Sequence, residues 1–509
     1  MVDASKTVAS PGADHEAMAA YWRQVADILG GIETMRKAGT KHLPRFPDES
    51  DADYKFRLSQ TKLTNVFGDI VDTLAAKPFG KEVAIVDGSA SPRIVALAED
   101  IDGAGTNLHR FAASLFHDGL RDAIVWLFVD YTANVPQDAT VARERALGAR
   151  PYFVKISAAD MLDVRTAAIG GEEQFVLARW RENAVVRDGD WGEKTVERVR
   201  VVRREPIEAD GEATRYGAAT WELWERVDAA NSYIAQEWQI IASGEISLGV
   251  IPLVPFVTGR RIGATWRIEP PLRAAAELQV ELYQQESGLK FLKTMCCYPM
   301  LSGNGVTPDK DAGGGAAAIR VGPKSVLYAP MDAAGNHGTW SFIEPQAHTL
   351  KLLLDDIGET AQQLRELGRQ PLTAQSGNLT VVTTAFASSK ANSVIAAWAL
   401  ELKDVLEAGF LFVAAWIRDP SEPEVYVSSD IPSGIPDEKG VDALLEARKN
   451  GDLSRATLLE EMKRRDMLGP EFTLEREDER LMDEAPGEPD DDESYAAGNV
   501  TAFRPASNL

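Results

Sequence analysis

The chain has 509 residues and a mass of 55.5 kDa, too long for one compact core and enough for roughly three or four structural units. A hydrophobic content of 44% and a charged content of 26% exclude wholesale disorder. With 54 Lys and Arg against 78 Asp and Glu, the net charge is −24. That excludes an ordinary DNA clamp, which needs a basic surface to grip phosphates, while a like-charged wall lets DNA slide past.

Residues 1–12 are polar and small, and no secretory signal is expected there. The longest apolar stretch, 408–417, is about half of a bilayer span, so it reads as buried helix with no membrane anchor. The only cysteines, Cys296 and Cys297, are adjacent, which fits core packing in a reducing compartment. Over 14–41, Met18, Tyr21, Trp22, Val25, Ile28 and Leu29 share one helical face, interrupted at Gly30 and Gly31. The following Pro44 and Pro47 precede an acidic turn, Asp48 to Asp53, which predicts one helix over 50–76. From 80 to 260 the pattern shifts to short alternating runs, 199–202, 221–224 and 237–241, read as antiparallel strands. A helix over 108–120 and the apolar run 123–131 make this block α+β. The run 250–257 holds Pro252 and Pro255 and belongs on a sheet edge or in an extended connector.

Pro270 and Pro271 open a long helix reaching about 295, with Gly288 as its one interior breaker. Residues 299–343 are Gly-rich around strand-like runs 318–321 and 325–328, a small β insert. A second long helix, 345–367, repeats Leu350, Leu354, Ile357, Ala361 and Leu364 at four, three, four and three residues, one apolar seam. Its opposite face carries Lys351, Asp355, Asp356, Glu359, Gln362, Gln363 and Glu366 and should be wet. Residues 368–388 are polar and small, a loop of a length seldom kept without a function. A third helix, 390–418, buries Val394, Ile395, Trp398, Leu402, Val405, Leu406, Val413 and Trp416 and stops at Asp419 and Pro420. A short strand, 424–428, and two helices, 441–448 and 454–465, follow, the latter capped by Ser454. The acidic tail, 485–509, is expected to be disordered.

Catalytic and cofactor patterns are absent. No phosphate loop, zinc helix, Cys-x-x-Cys pair or Gly-x-Ser-x-Gly elbow occurs, and the six histidines lack ligand spacing. Acidic pairs such as Asp51 with Asp53 and Asp355 with Asp356 read as solvated charge. No enzyme activity, cofactor or metal is expected.

Residues 42–54 followed by Arg57 and Leu58, the segment Pro270-Pro-Leu-Arg-Ala-Ala-Ala-Glu-Leu, and the pattern from Phe342 through Leu364 to Leu367 together resemble the portal (head-to-tail connector) proteins of tailed bacteriophages. The order of elements is similar too, over roughly 40–480. The resemblance implies an α+β portal-type fold: N-terminal helical arm 1–40, wing 41–269, stem helix 270–297, clip 298–343, stem helix 344–367, tunnel loop 368–388, wing helix and strand 389–436, and helical crown 437–484. It implies a homo-oligomeric ring, usually of twelve subunits, at one capsid vertex of the virion, assembled in the host cytoplasm. Double-stranded DNA would pass through the channel, past Lys351, Asp355, Glu359, Gln362, Glu366, Arg369, Gln370, Gln375, Asn378 and Lys390. Lys310, Arg320 and Lys324 on the clip would dock the large terminase and the head-tail adaptor, with major capsid and scaffold proteins as further partners. Two other classes stay open on the residues alone: a monomeric acidic α+β hydrolase, and a minor capsid or tail adaptor protein.

Overall fold

A computed structural model describes residues 6–132, 143, 148–207, 215–227, 237–296, 300–304, 338–343, 348–369, 381–429 and 438–464, with positions 474, 476–478 and 480. The chain divides into two units, Met1–Ile431 and Pro432–Leu509. The first opens with α1 (Ala13–Leu29), α2 (Ile32–Ala38), α3 (Asp51–Ser59), α4 (Val66–Ala76), β1 (Ala84–Ile85), α5 (Pro92–Leu97) and α6 (Leu108–Asp122). Strands β2 (Ile124–Tyr131), β3 (Pro151–Ser157), β4 (Met161–Ile169), β5 (Glu172–Arg181), β6 (Ala184–Asp188), β7 (Gly192–Val196), β8 (Arg198–Ile207), β9 (Arg215–Val227), β10 (Glu237–Glu245), β11 (Leu253–Val257), β12 (Arg260–Arg261) and β13 (Ile268–Glu269) follow. Then come α7 (Arg273–Cys296), β14 (Met300–Asn304), β15 (Thr339–Ile343), α8 (His348–Arg369), α9 (Val381–Ile417) and β16 (Val425–Tyr426). The second unit holds α10 (Glu438–Lys449) and α11 (Arg455–Arg464), the latter capped by the Ser454 hydroxyl accepting from Thr457 N at 3.1 Å. The fold is α+β.

Strand β2 organises the first unit because its side chains alternate between two buried faces. It is central in an antiparallel sheet of order β11-β2-β3. On one face, Leu127 and Phe153 meet α9 at Gly409, where an added Cβ would lie 2.8 Å from Leu127 Cδ2 and 2.9 Å from Phe153 Cζ. The rings of Phe153 and Phe410 are 5.1 Å apart. On the same face, Phe256 of β11 presses on α6 so closely that a Cβ at Gly119 would come within 2.3 Å of its ring. On the other face, Trp126 stacks with Trp266 at 5.0 Å, and Phe128 with Trp180 of β5 at 5.0 Å. That face therefore packs on the second sheet, an antiparallel array of order β10-β9-β8-β5-β4. Coverage on both sides is why 124–129 reads as an unbroken apolar run. Ala123 takes the left-handed conformation at φ 70°, so one residue turns the chain from α6 into β2.

Two expectations are corrected. The helix over 50–76 is two helices, α3 and α4, and at the break Thr64 bonds to side chains of α7, its N to Glu286 and its O to Gln279, instead of continuing a helical ladder. The loop over 368–388 is shorter at its C-terminal side, since α9 begins at Val381. Val381, Val382, Thr383 and Thr384 are β-branched and argue weakly against helix, but propensity yields to the apolar helix they extend. The predicted strand runs 318–321 and 325–328 lie outside the described residues.

Residues 42–60 form a clamp around one arginine. The Arg57 side chain is 2% exposed and forks onto Glu49, with Nε to Oε1 and Nη2 to Oε2 both at 2.7 Å, while Nη2 also donates to Pro44 O at 2.7 Å. Phe46 lies 4.1 Å from the guanidinium and Tyr54 5.4 Å, and the Tyr54 hydroxyl donates to Leu43 O. The hydrogen bonds from Arg57 hold the Glu49 carboxyl below its ordinary range. Breaking such a pair leaves a buried charge, so Arg57→Ala should lower stability by about 3–5 kcal/mol in urea unfolding.

A second charged cluster pins α6 to α4 and β3. His117 bonds Asp118 at 3.4 Å and Asp72 at 3.1 Å, and Asp118 also pairs with Arg121 at 3.0 Å and with Lys155. The Asp118 bond raises the His117 pKa above 6.5 against the effect of burial. Burial opposes Asp118 ionisation but is overcome by His117, Arg121 and Lys155, which hold its pKa at about 2. The His117 contribution is complete below pH 6.5 and disappears as pH rises through the higher folded value, whereas the Asp118 contribution is complete above 3.8 and fades as pH falls towards 2. Melting temperatures of wild type and His117→Gln measured against pH should therefore converge on the alkaline side and separate as pH drops below the folded His117 value.

Candidate functional site

Helices α7 and α8 are about 36 and 33 Å long at 1.5 Å per residue, and they run antiparallel. Their inner ends share α4. Gln279 of α7 reaches the start of α4, and Gly368 of α8 abuts Ile70 so tightly that a Cβ would lie 2.4 Å from Ile70 Cγ1. Further out, Gln285 Nε2 donates to Asp356 Oδ2 at 3.0 Å. Their outer ends lead into the antiparallel pair of β14 and β15, Met300 opposite Ile343 and Asn304 opposite Thr339.

Polar side chains of α7 fix the foot of this pair. Gln279 has no exposed surface; its Oε1 accepts from Val66 N and Phe67 N, both at 2.9 Å, and its Nε2 donates to Thr64 O at 3.0 Å. Phe67 N is thus satisfied from another helix, Val66 N gains a second acceptor beside Thr64 O at 3.0 Å, and Asn65 caps a third amide, Gly68 N. One turn pair further on, Glu286 accepts from Lys62 Nζ at 2.8 Å, Thr64 N at 3.0 Å and Thr64 Oγ1 at 2.6 Å. Gln284 Nε2 donates to His42 O at 2.8 Å, joining the Arg57 clamp to the same helix. Sequence reasoning missed these anchors, although Gln279 and Glu286 stand seven residues apart on a seam otherwise made of Leu272, Ala275, Leu282 and Leu289.

On α8, Leu364 is fully buried and Ile357 and Ala361 are half-buried on the inward side. Lys351, Asp355, Glu359 and Gln362 are exposed, Glu366 is half-buried, and all five fall within an arc of about 80°. One lysine and three carboxylates give this arc a net charge of −2. Gln362 Nε2 donates to Glu366 Oε1 at 3.1 Å. Asp356, expected on the wet face, is exposed but turned to Gln285 of α7. Leu354, expected on the buried seam, is 46% exposed, and Leu352 is 70% exposed. A seam spaced at 3.5 residues drifts round a helix of 3.6, which carries Leu354 to the flank. Two residues apart, these leucines lie about 200° apart round the axis, one on each side of the polar arc.

Arg369 closes α8, and Lys390 lies within α9. Gln370, Gln375 and Asn378, and Lys310, Arg320 and Lys324 of the insert, lie outside the described residues. Among the described residues no His, Cys, Asp or Glu cluster could hold a metal ion, and no helix is long and apolar enough to cross a membrane. Gln279→Ala should cost about 1–3 kcal/mol and accelerate amide exchange at Phe67 well beyond that at Leu74, because it strands that buried donor.

Residues 271–417, from just before α7 to the last residue of α9, match a family described as a domain of unknown function (DUF4055). No curated protein matches the chain. Among solved structures, the chain is similar to a chain in the neck of an empty GTA particle computed with C6 symmetry, with a TM-score of 0.39 and 12% identity over 77% of this chain and 88% of that one. It is also similar to one in the neck of a native GTA particle computed with C12 symmetry, with a TM-score of 0.38 and 12% identity over 87% and 100%. A third, in the virion of a native gene transfer agent particle, gives a TM-score of 0.36 and 11% identity over 83% and 96%.

Proposed function

We propose that the chain is a portal (head-to-tail connector) subunit, one of a ring of identical copies that forms a DNA conduit at one capsid vertex and carries no catalytic activity of its own. One observation carries this reading: α8 bears a polar arc flanked on both sides by exposed leucines and backed by α7. Leu352 at 70% and Leu354 at 46% exposure lie on two separate flanks of α8. Copies standing side by side would cover both flanks at once and leave the arc of Lys351, Asp355, Glu359, Gln362 and Glu366 facing a common axis. Its negative balance suits a wall past which a polyanion moves without sticking.

In this reading the segment after Arg369, with Gln370, Gln375 and Asn378, and Lys390 beyond it, approaches the double-stranded DNA. The insert between β14 and β15, with Lys310, Arg320 and Lys324, docks the large terminase during filling and a head-tail adaptor afterwards. Major capsid and scaffold proteins meet the ring's outer surface.

Native mass measurement tests the reading. Wild type should appear at an integral multiple of 55.5 kDa, and Leu352→Glu with Leu354→Glu should fall apart to single subunits. A wild-type chain that stays single under every condition would contradict it.

A further inference from the structure

The outward face of α9 has no role in the account so far. Its inward face, with Trp398, Leu402, Leu406, Phe410 and Val413, packs on the sheet of β2. Ala397, Leu400, Glu401, Asp404, Leu411 and Ala415 occupy an opposite arc of about 100°, with Leu400 50% and Leu411 48% exposed. Between 397 and 415 this stripe is apolar apart from two carboxylates and holds no cation. Burial and the charge of Asp404 already raise the pKa of Glu401.

A surface of opposite character lies around the turn between β12 and β13. Ile262 is 51% exposed there, beside a recess of about 390 Å³ bordered by Arg260, Arg267 and Arg273. Arg267 is engaged by Asp14 at 2.9 Å and Arg260 by Glu269 at 2.8 Å, the latter pair well exposed, while Arg273 has no carboxylate partner among the described residues. Arg273 also begins α7, whose first turn contains no acidic residue, so the positive end of that helix adds to the field.

The two surfaces face opposite ways. Trp266, in the turn, stacks on Trp126, and Gly409 of α9 receives Leu127, the next residue of β2, which points to the other side of the sheet. Surfaces so disposed cannot meet within one copy but can meet head to tail between copies, the type of contact that closes into rings. A two-fold contact of α9 with itself centred on Glu401 and Asp404 would set them against their own kind, with no cation on the stripe between 397 and 415.

We propose that the outer stripe of α9 in one copy seats on the Arg260–Arg273 surface of the next, with Leu400 and Leu411 closing over Ile262 and the carboxylates of Glu401 and Asp404 meeting Arg260 and Arg273. The contact rests on the ring reading and names a lateral interface in the body of the subunit, apart from the α8 flanks. Sedimentation of the full chain at graded concentrations tests it with three variants: Glu401→Arg/Asp404→Arg, Arg260→Glu/Arg273→Glu, and all four changes together. Each two-residue variant should need at least ~10-fold more protein to assemble, and the four-residue variant should return to within ~3-fold of wild type, since the charges are exchanged rather than lost. Rings that tolerate either two-residue reversal, or a four-residue variant that stays dissociated, would overturn the contact while leaving the ring intact as an idea. A wild-type chain that never assembles would remove the ring reading and this contact together.

Discussion

The first unit depends on one buried polar constraint: Gln279 of α7 accepts from two amides at the start of α4, Phe67 N and Val66 N, the second of which also has a tight local bond to Thr64 O. A buried amide without a partner costs about 1–3 kcal/mol, so the bond dictates where α7 must lie relative to residues 61–68. Glu286 and Gln284 extend the same logic along α7, catching Thr64 and His42. Because α8 packs antiparallel on α7 and seats Gly368 on Ile70 of α4, the foot of the pair is held by the N-terminal 76 residues. The outer end, by contrast, leads into the two short strands β14 and β15, with Phe291 of α7 set 6.5 Å from Phe46.

That asymmetry separates a rigid body from a surface awaiting neighbours. Strand β2, buried on both faces, joins the two sheets and α9. Among the described residues, Leu352 and Leu354 on α8, and Leu400 and Leu411 on α9, are the exposed large apolar groups on α7, α8 and α9. Covering them by identical copies needs no other partner. In the proposed conduit the net charge of −24 is compatible with DNA passage, which requires sliding rather than grip.

Much of the body was legible in sequence because its signals are local. The α1 face of Met18, Tyr21, Trp22, Val25 and Ile28 is buried as its spacing predicts, and the apolar run read over 123–131 is strand β2, whose burial on both faces the sequence alone did not specify. What escaped depends on partners far away. The break between α3 and α4 is held by Gln279, 213 residues beyond Val66, and no window of sequence contains both. Pairing of β5 with β8, past the hairpin of β6 and β7, is likewise non-local. The residues 42–58 that first suggested a family have a plain structural use as the cage of Arg57, so their wording reflects burial of a charge rather than contact with a ligand. The polar arc of α8 was visible in the spacing; the leucines flanking it were not, because a 3.5-residue seam assigns Leu354 inward and ignores Leu352.

The central claim is that α8 stands between two copies with its polar arc towards a shared axis. Electron cryomicroscopy of the purified chain, viewed along the symmetry axis, measures this directly. The account predicts a closed ring whose hole admits a duplex and is lined by Lys351, Asp355, Glu359 and Gln362, with Leu352 and Leu354 buried against neighbours on either side. A ring lined by another element, with both leucines still facing solvent, would contradict it.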